Sequence, residues 1–281
     1  MTASAFTYIL ASQARKIAVG LLPVLVSLLA LSATPTCLAA DKPEGKADLG
    51  TLIRDLSSSD HTVASKAAQG IKDRGPAAQS AIPALASAMK HPNEVVRLTA
   101  IEAVSEIGPE AASVIPALAE ALKDKDPMIR EASALALLRV GRQSPVAIRA
   151  LVSALGDENR RVRDSAILAL VNIGEAAVTD LIKALESRDP AVRVSATTAL
   201  GRIGGPSVPA LISVLQTGDP HTSKAASKAL SEVGGPAVAP LIELLTKSRP
   251  ETSKLAGETL AAIGAPAILP LVDALMKKKM P

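Results

Sequence analysis

The residues Asp189–Gly204 read DPAVRVSATTALGRIG, and their chemistry spells out both the start and the stop of one helix. Asp189 offers a side-chain oxygen to cap the first turn, and Pro190 suits the first helical position, where no backbone N–H is needed. Gly204 tolerates the left-handed conformation that ends a helix. Variants of the phrase recur along the chain, so the fold is read from the repeat.

A second, shorter phrase marks the period. It begins at Leu49 (LGTLIRDL), Ile82, Ile115, Ile148, Val178, Val208, Val238 and Ile268, spaced by 33 residues three times and then by 30 four times. Its fourth residue is always Leu, from Leu52 to Leu271, and its eighth is Leu or Met. Spacing of four puts the two on one helical face, which predicts a short first helix with a single buried stripe. Eleven residues after each start stands Asp60, Asn93, Asp126, Asn159, Asp189 or Asp219, the expected N-cap of a second helix; in the seventh copy Arg249 takes that place, with Ser248 as a substitute cap. The second helix carries its own stripe, as in Val96, Ala100, Ala103, Val104 and Ile107.

Two positions in that helix have a steric reading. The place of Ala100 holds Ala67, Ser133, Ala166, Ala196, Ala226 or Ala256 in the other units, small enough for close helix approach. A larger residue there should cost about 1–3 kcal/mol by overpacking. A Gly closes the helix in every unit, from Gly75 to Gly264, which predicts a positive φ at each. Each two-helix unit is too small to bury a core alone, so the units must stack. The first three connections after the Gly are three residues longer than the later ones, which predicts about one added turn and a different stacking of the N-terminal half.

The N-terminus is of another kind. Residues 1–40 hold the basic pair Arg15 and Lys16, an uncharged apolar run from Ile17 to Leu31, and small residues at Leu38-Ala39-Ala40 or Cys37-Leu38-Ala39. That is the plan of a secretory signal peptide, followed by a linker over 41–48. It implies export to a periplasm or cell envelope. A membrane-anchored N-terminus is the alternative, although the run falls short of the roughly 20 residues that span a bilayer. Without residues 1–40 the chain has 29 basic and 27 acidic residues, no aromatic residue and no Cys. Near-neutral charge and missing stacking platforms argue against nucleic acid, and the lack of Cys excludes disulfides and thiolate metal sites.

The units DPMIREASALALLRVG, NRRVRDSAILALVNIG and DPAVRVSATTALGRIG resemble HEAT repeats, specifically the short class named after phycobilisome lyases. The resemblance covers residues 49–281 and implies an all-α fold: a right-handed α-solenoid of seven two-helix repeats and a C-terminal half-repeat. It also implies that Arg97, Arg130, Arg163 and Arg193, four residues after the caps Asn93, Asp126, Asn159 and Asp189, bridge to the cap side chain of their own or a neighbouring unit. The other reading of these arginines is a guanidinium ladder gripping an acidic partner.

Catalytic chemistry finds no foothold. His61, His91 and His221 lie in separate units, and the residues after them are Thr62, Pro92 and Thr222, not the Glu of the His-Glu pairs that mark HEAT-like deoxyhypusine hydroxylases. No nucleophile elbow or phosphate loop is present in the sequence. The expectation is a protein that is not an enzyme, with no cofactor and no metal.

What remains is the face of the second helices opposite their buried stripe, which the resemblance places on the concave side. It runs through Leu98 and Glu102, then Leu135 and Leu138, Leu168 and Val171, Val194 and Thr198, and Lys224 and Lys228. An apolar centre with polar ends marks a candidate binding surface for another protein, unless curvature buries it. Burying Leu135, Leu138, Leu168 and Val171 would give about 6–12 kcal/mol against an association cost of about 4–15, so moderate affinity or self-association is expected. The sequence therefore reads as an exported scaffold with a protein partner, no nucleic acid, and no membrane contact beyond export. The alternatives are a lyase or chaperone subunit acting on a tetrapyrrole-bearing protein, and nucleic-acid binding. Lys277, Lys278 and Lys279 read as a solubilising, dipole-compensating helix end.

Overall fold

A computed structural model describes residues 47–141 and 143–279. The signal-peptide reading of residues 1–40 and most of the 41–48 linker lie outside the described residues, as do the side chains of Lys277, Lys278 and Lys279.

The described residues form fifteen α-helices, and odd and even numbers separate the two kinds. The first helices are α1 (Leu49–Asp55), α3 (Ile82–Ala88), α5 (Ile115–Ala121), α7 (Pro145–Ala154), α9 (Val178–Ala184), α11 (Val208–Thr217), α13 (Gly235–Lys247) and α15 (Ala265–Lys279). The second are α2 (His61–Lys72), α4 (Glu94–Ile107), α6 (Pro127–Val140), α8 (Arg160–Ile173), α10 (Pro190–Ile203), α12 (Pro220–Val233) and α14 (Pro250–Ile263). The all-α solenoid of seven two-helix units and a final half is thus the observed architecture.

The caps are those the sequence predicts. Asp60, Asn93, Asp126, Asn159, Asp189 and Asp219 each accept the backbone N–H two residues on, at 2.8–2.9 Å. Such a cap is worth about 1 kcal/mol. At Arg249 no side chain caps α14, and Ser248 instead closes α13, so the expected substitution of Ser248 for the missing cap does not occur. Ser248 is engaged as the C-cap of α13, its N–H on the Leu244 carbonyl.

Burial follows the two stripes. The fourth-position leucines from Leu52 to Leu241 are buried, and the small position is buried in all seven second helices. The eighth position is buried from Leu56 to Leu215, whereas Leu245 and Leu275 are exposed; in α13 the adjacent Leu244 goes into the core instead. α13 runs on to Lys247, as α11 runs to Thr217, yet α11 keeps Leu215 buried.

The connections explain the change of period. Gly75–Ala81 and Pro109–Val114 form 3₁₀ segments, the added turn expected of the long connections. The third long connection does otherwise: Ser144 caps at Ala147 N–H and α7 starts early, at Pro145. Later connections shorten to Gly174–Ala177 and Gly205–Ser207, and α13 and α15 start directly after Gly234 and Gly264. Six of the seven closing glycines have positive φ, but Gly141 sits at −95°. Its reason to be Gly is space: a Cβ would lie 2.5 Å from the Leu137 carbonyl oxygen and 2.9 Å from the Ala147 Cβ. The early start of α7 brings Ala147 to this point.

Each second helix packs on the next throughout the stack. The stretch Arg160–Ala184 is apolar and long enough to cross a membrane by composition, but it comprises α8, a 3₁₀ turn at Gly174 and α9, and it supplies core residues.

Candidate partner-binding face

The face predicted from the sequence divides in the structure. Leu98, Leu138 and Val171 are half-buried and pack against the core. Leu135, Leu168 and Val194, on three successive second helices, remain 39%, 42% and 58% exposed. The apolar centre is therefore partly closed by packing and partly open. Glu102 pairs with Lys72 of the preceding second helix at 2.7 Å, Thr198 is half-buried, and Lys224 and Lys228 are exposed.

Two members of this surface escaped the sequence reading. Val95 and Met128 are 51% and 60% exposed in the first turns of α4 and α6. Met128 precedes Leu135 by seven residues, two helical turns along the same face, so the signal was a spacing of seven that started too close to the cap to be counted. Met is suited to such a surface because its flexible thioether adapts to a partner's shape.

The arginines are structural, by a route different from the one expected. Arg97 donates from Nη1 to the carbonyl oxygens of His91 and Pro92, both at 2.9 Å, in its own loop. Its Nε and Nη2 reach Asp124 of the next unit at 2.8 and 3.2 Å. Arg130 repeats the pattern on the Asp124 and Lys125 carbonyls and on Asp157 at 2.7 and 2.9 Å, with Glu158 at 3.3 Å. The acceptors are not the cap side chains but residues two positions before the caps. The reason is that each cap oxygen already accepts its helix N–H, while the residue two before it turns its side chain toward the preceding unit.

That position is the one the sequence reading missed altogether. Ser58, His91, Asp124, Asp157 and Ser187 each accept the backbone N–H of the cap that follows. Where the residue is Asp, it serves the cap and the arginine together. Arg163 and Arg193 stand before Ser187 and Thr217, and they bond only the carbonyl pairs of their own loops, Asp157 with Glu158 and Ser187 with Arg188, at 2.7 and 3.0 Å in each case. The guanidinium ladder is thus turned into the stack, and Arg97 and Arg130 are buried.

Electrostatics agree with this geometry. Burial pushes the Asp124 carboxyl up, but the Asp126 N–H and Arg97 outweigh it and hold the group below the usual carboxylate range. Asp157 behaves alike: burial raises it, and Arg130 with the Asn159 N–H lowers it further than burial raises it. The bond to Asp157 pushes Arg130 up. Among the described residues no three His, Cys, Asp or Glu side chains come together as a metal-ligand cluster.

Comparison with known proteins bears on the repeat. The HEAT repeats profile matches residues 50–138, 111–171 and 178–261, and the PBS lyase HEAT-like repeat profile matches 162–187. No curated protein matches the sequence. Among solved structures, the complex of CpcE and CpcF of phycocyanin lyase from Nostoc sp. PCC7120 is similar at 20% identity and a TM-score of 0.43, over 88% of this chain and 99% of that one. A designed armadillo repeat protein in complex with the peptide (KR)4 is similar at 17% identity and 0.43, over 78% and 100%. The archaeal HEAT-like repeats protein from Thermococcus onnurineus NA1 is similar at 14% identity and 0.44, over 78% and 98%. With the repeat profile covering most of the chain, and with two-helix units stacked from Leu49 to Lys279, the chain belongs to the HEAT repeat family.

Proposed function

We propose that the protein is an exported, non-enzymatic scaffold that holds another protein on the inner face of its second helices. The observation that carries this reading is the row of exposed apolar side chains, Leu135, Leu168 and Val194, on three successive helices of a rigid stack. Large apolar groups left open on adjacent, well-ordered elements form a surface that a partner can dehydrate. Such a row suits a partner that spans several units. Export rests on the three-part N-terminal pattern of residues 1–40.

Leu135→Asp combined with Leu168→Asp tests the face. Pull-down from an envelope fraction with the wild-type chain should retain a partner that the double variant loses, with helicity by circular dichroism unchanged; equal capture by both proteins sinks the assignment. Mass spectrometry of the mature N-terminus should find a start near Asp41, and a chain still carrying Tyr8 would contradict export. Titration with a bilin addresses the tetrapyrrole reading, for which a red-shifted complex is the required sign.

A further inference from the structure

A broad groove lies where the row of apolar groups ends. It occupies about 990 Å³ between α12 and α14, the second helices of units six and seven. Leu215, which is buried, and Leu255, which is half-buried, give it an apolar floor, and Ser227, Ser231 and Thr252 line it with hydroxyls. Lys224, Lys228, Arg249 and Lys254 bring four positive charges to its walls, against Glu251 and Glu258. Lys254 reaches Glu258 only at 4.0 Å, and among the described residues Lys224, Lys228 and Arg249 form no ion pair.

This concentration is local to two units. The positions of Lys224 and Lys228 are held by Leu98 and Glu102 in the second unit, by Glu131 and Leu135 in the third, and by Asp164 and Leu168 in the fourth. The place that the bridging arginine fills in units two and three is taken here by Ser223, itself part of the groove lining. Ser223 thus puts a small hydroxyl where Arg97 and Arg130 stand in their units, and exposed cations line the groove beside it.

We propose that this groove binds an acidic, extended peptide segment of a partner protein, an inference that rests on the scaffold reading and adds the partner's chemistry to it. Lys224 and Lys228 are one turn apart on α12, a rise of about 6 Å. Alternate side chains of an extended chain are about 6.6–6.8 Å apart on one face. Carboxylates at positions i and i+2 of the peptide can thus meet the two lysines in step, while the side chains between them face the floor at Leu215 and Leu255. Glu251 and Glu258 in the walls oppose a continuous polyanion but leave room for spaced carboxylates. The described residues include no Phe, Tyr or Trp on which a base could stack, so a nucleic acid gains little here.

Fluorescence anisotropy with a labelled eight-residue peptide alternating Glu and Leu tests the proposal on the full chain. The expected results are saturable binding that weakens steeply with salt, loss of at least tenfold in affinity for the same peptide with Gln in place of Glu, and a similar loss in Lys224→Glu with Lys228→Glu. Lys123→Glu with Lys183→Glu, exposed lysines at the C-terminal ends of distant first helices, makes the same change in net charge and should leave binding within twofold. The proposal is overturned by no binding of the Glu-Leu peptide, by equal binding of the Gln peptide, by equal losses in the two charge-reversed variants, or by tighter binding of a single-stranded oligonucleotide. A chain that fails with the peptide yet still captures a partner through Leu135 and Leu168 refutes the groove and leaves the scaffold reading standing.

Discussion

At the joint between the third and fourth units, Arg130 holds two carbonyls of its own loop and the Asp157 carboxylate of the next unit, and the two paired side chains are each only 9% exposed. At the joint between the sixth and seventh, Ser223 stands in the place of that arginine and bonds only the Val214 carbonyl of its own unit, at 3.3 Å. Unit seven repeats this with Ser253, whose hydroxyl stays on the carbonyls of Leu244, Leu245 and Ser248. One repeat thus supplies two kinds of joint. The bridged kind fixes its neighbour's position by charge-assisted bonds; the unbridged kind leaves neighbours held by apolar packing and neutral hydrogen bonds, Ser227 with Thr259 at 2.7 Å and Thr252 to the Leu215 carbonyl at 3.5 Å, and opens a groove. Arg163 and Arg193, satisfied within their own loops, are the intermediate case.

The sharpest way to break the comparison is to make the bridged joint resemble the other. Arg130→Ala should cost about 2–3 kcal/mol in urea unfolding, because it strands the half-buried Asp157 and two loop carbonyls. Ser223→Ala should cost less than about 1 kcal/mol, since one long hydroxyl bond is lost. Equal losses would mean the bridge is ornamental.

Next in size is a test of why the two halves share a glycine. Gly141→Ala should destabilise by about 1–3 kcal/mol through overpacking against Leu137 and Ala147. Gly204→Ala meets nothing within 4 Å and should cost only the strain of its φ of 78° and ψ of −137°, a combination open essentially to Gly, about 1–3 kcal/mol. Asn, which tolerates positive φ only with ψ near +47°, should rescue neither position, since Gly204 has ψ −137°; rescue at 204 would contradict the backbone conformation assigned there.

The bridged joints also carry a pH signature. Asp124 and Asp157 have folded-state values below the ordinary carboxylate value, so the stability they add is present above about pH 4 and is lost as the pH falls through those lowered values. Unfolding stability should be level from neutral pH to about pH 5 and decline below about 4. Asp157→Asn should be less stable at neutral pH and show a shallower decline.

The smallest effect, and a gain, should come from extending the bridge. Ser187 already accepts the Asp189 N–H as Asp124 and Asp157 do for their caps, and it lies before Arg163 at the corresponding place. Ser187→Asp should therefore complete a third bridge and stabilise by about 0.5–1.5 kcal/mol. Thr217→Asp should not do so for Arg193, because α11 runs through Thr217 and no loop side chain is presented there. Stabilisation by both, or by neither, would contradict the geometry assigned to the joint.

These contrasts mark what could be read from the residues. Caps, apolar stripes and the small buried position are local properties, and local spacing reveals them; hence the helices and their order were legible in full. Asp124 and Asp157 were not, since their role is shared between a cap in their own unit and an arginine 27 residues earlier, and no single helix contains that relation. Gly141 was assigned the wrong cause because its neighbour Ala147 moves in only when α7 starts early. The candidate face was legible as a set of positions, but whether a given leucine was open or closed depended on the neighbouring helix, as Leu138 and Leu135 show.

The uneven joints have a mechanical consequence. Joints in a stack are in series, so a pull applied across the repeats loads every one of them with the same tension, and the weakest opens first. Under such a load the segment from α11 onward should peel away unit by unit while the section tied by Arg97 and Arg130 keeps its length. A partner seated over Leu135 and Leu168 would then sit on the stiff part of a spring whose far end is compliant.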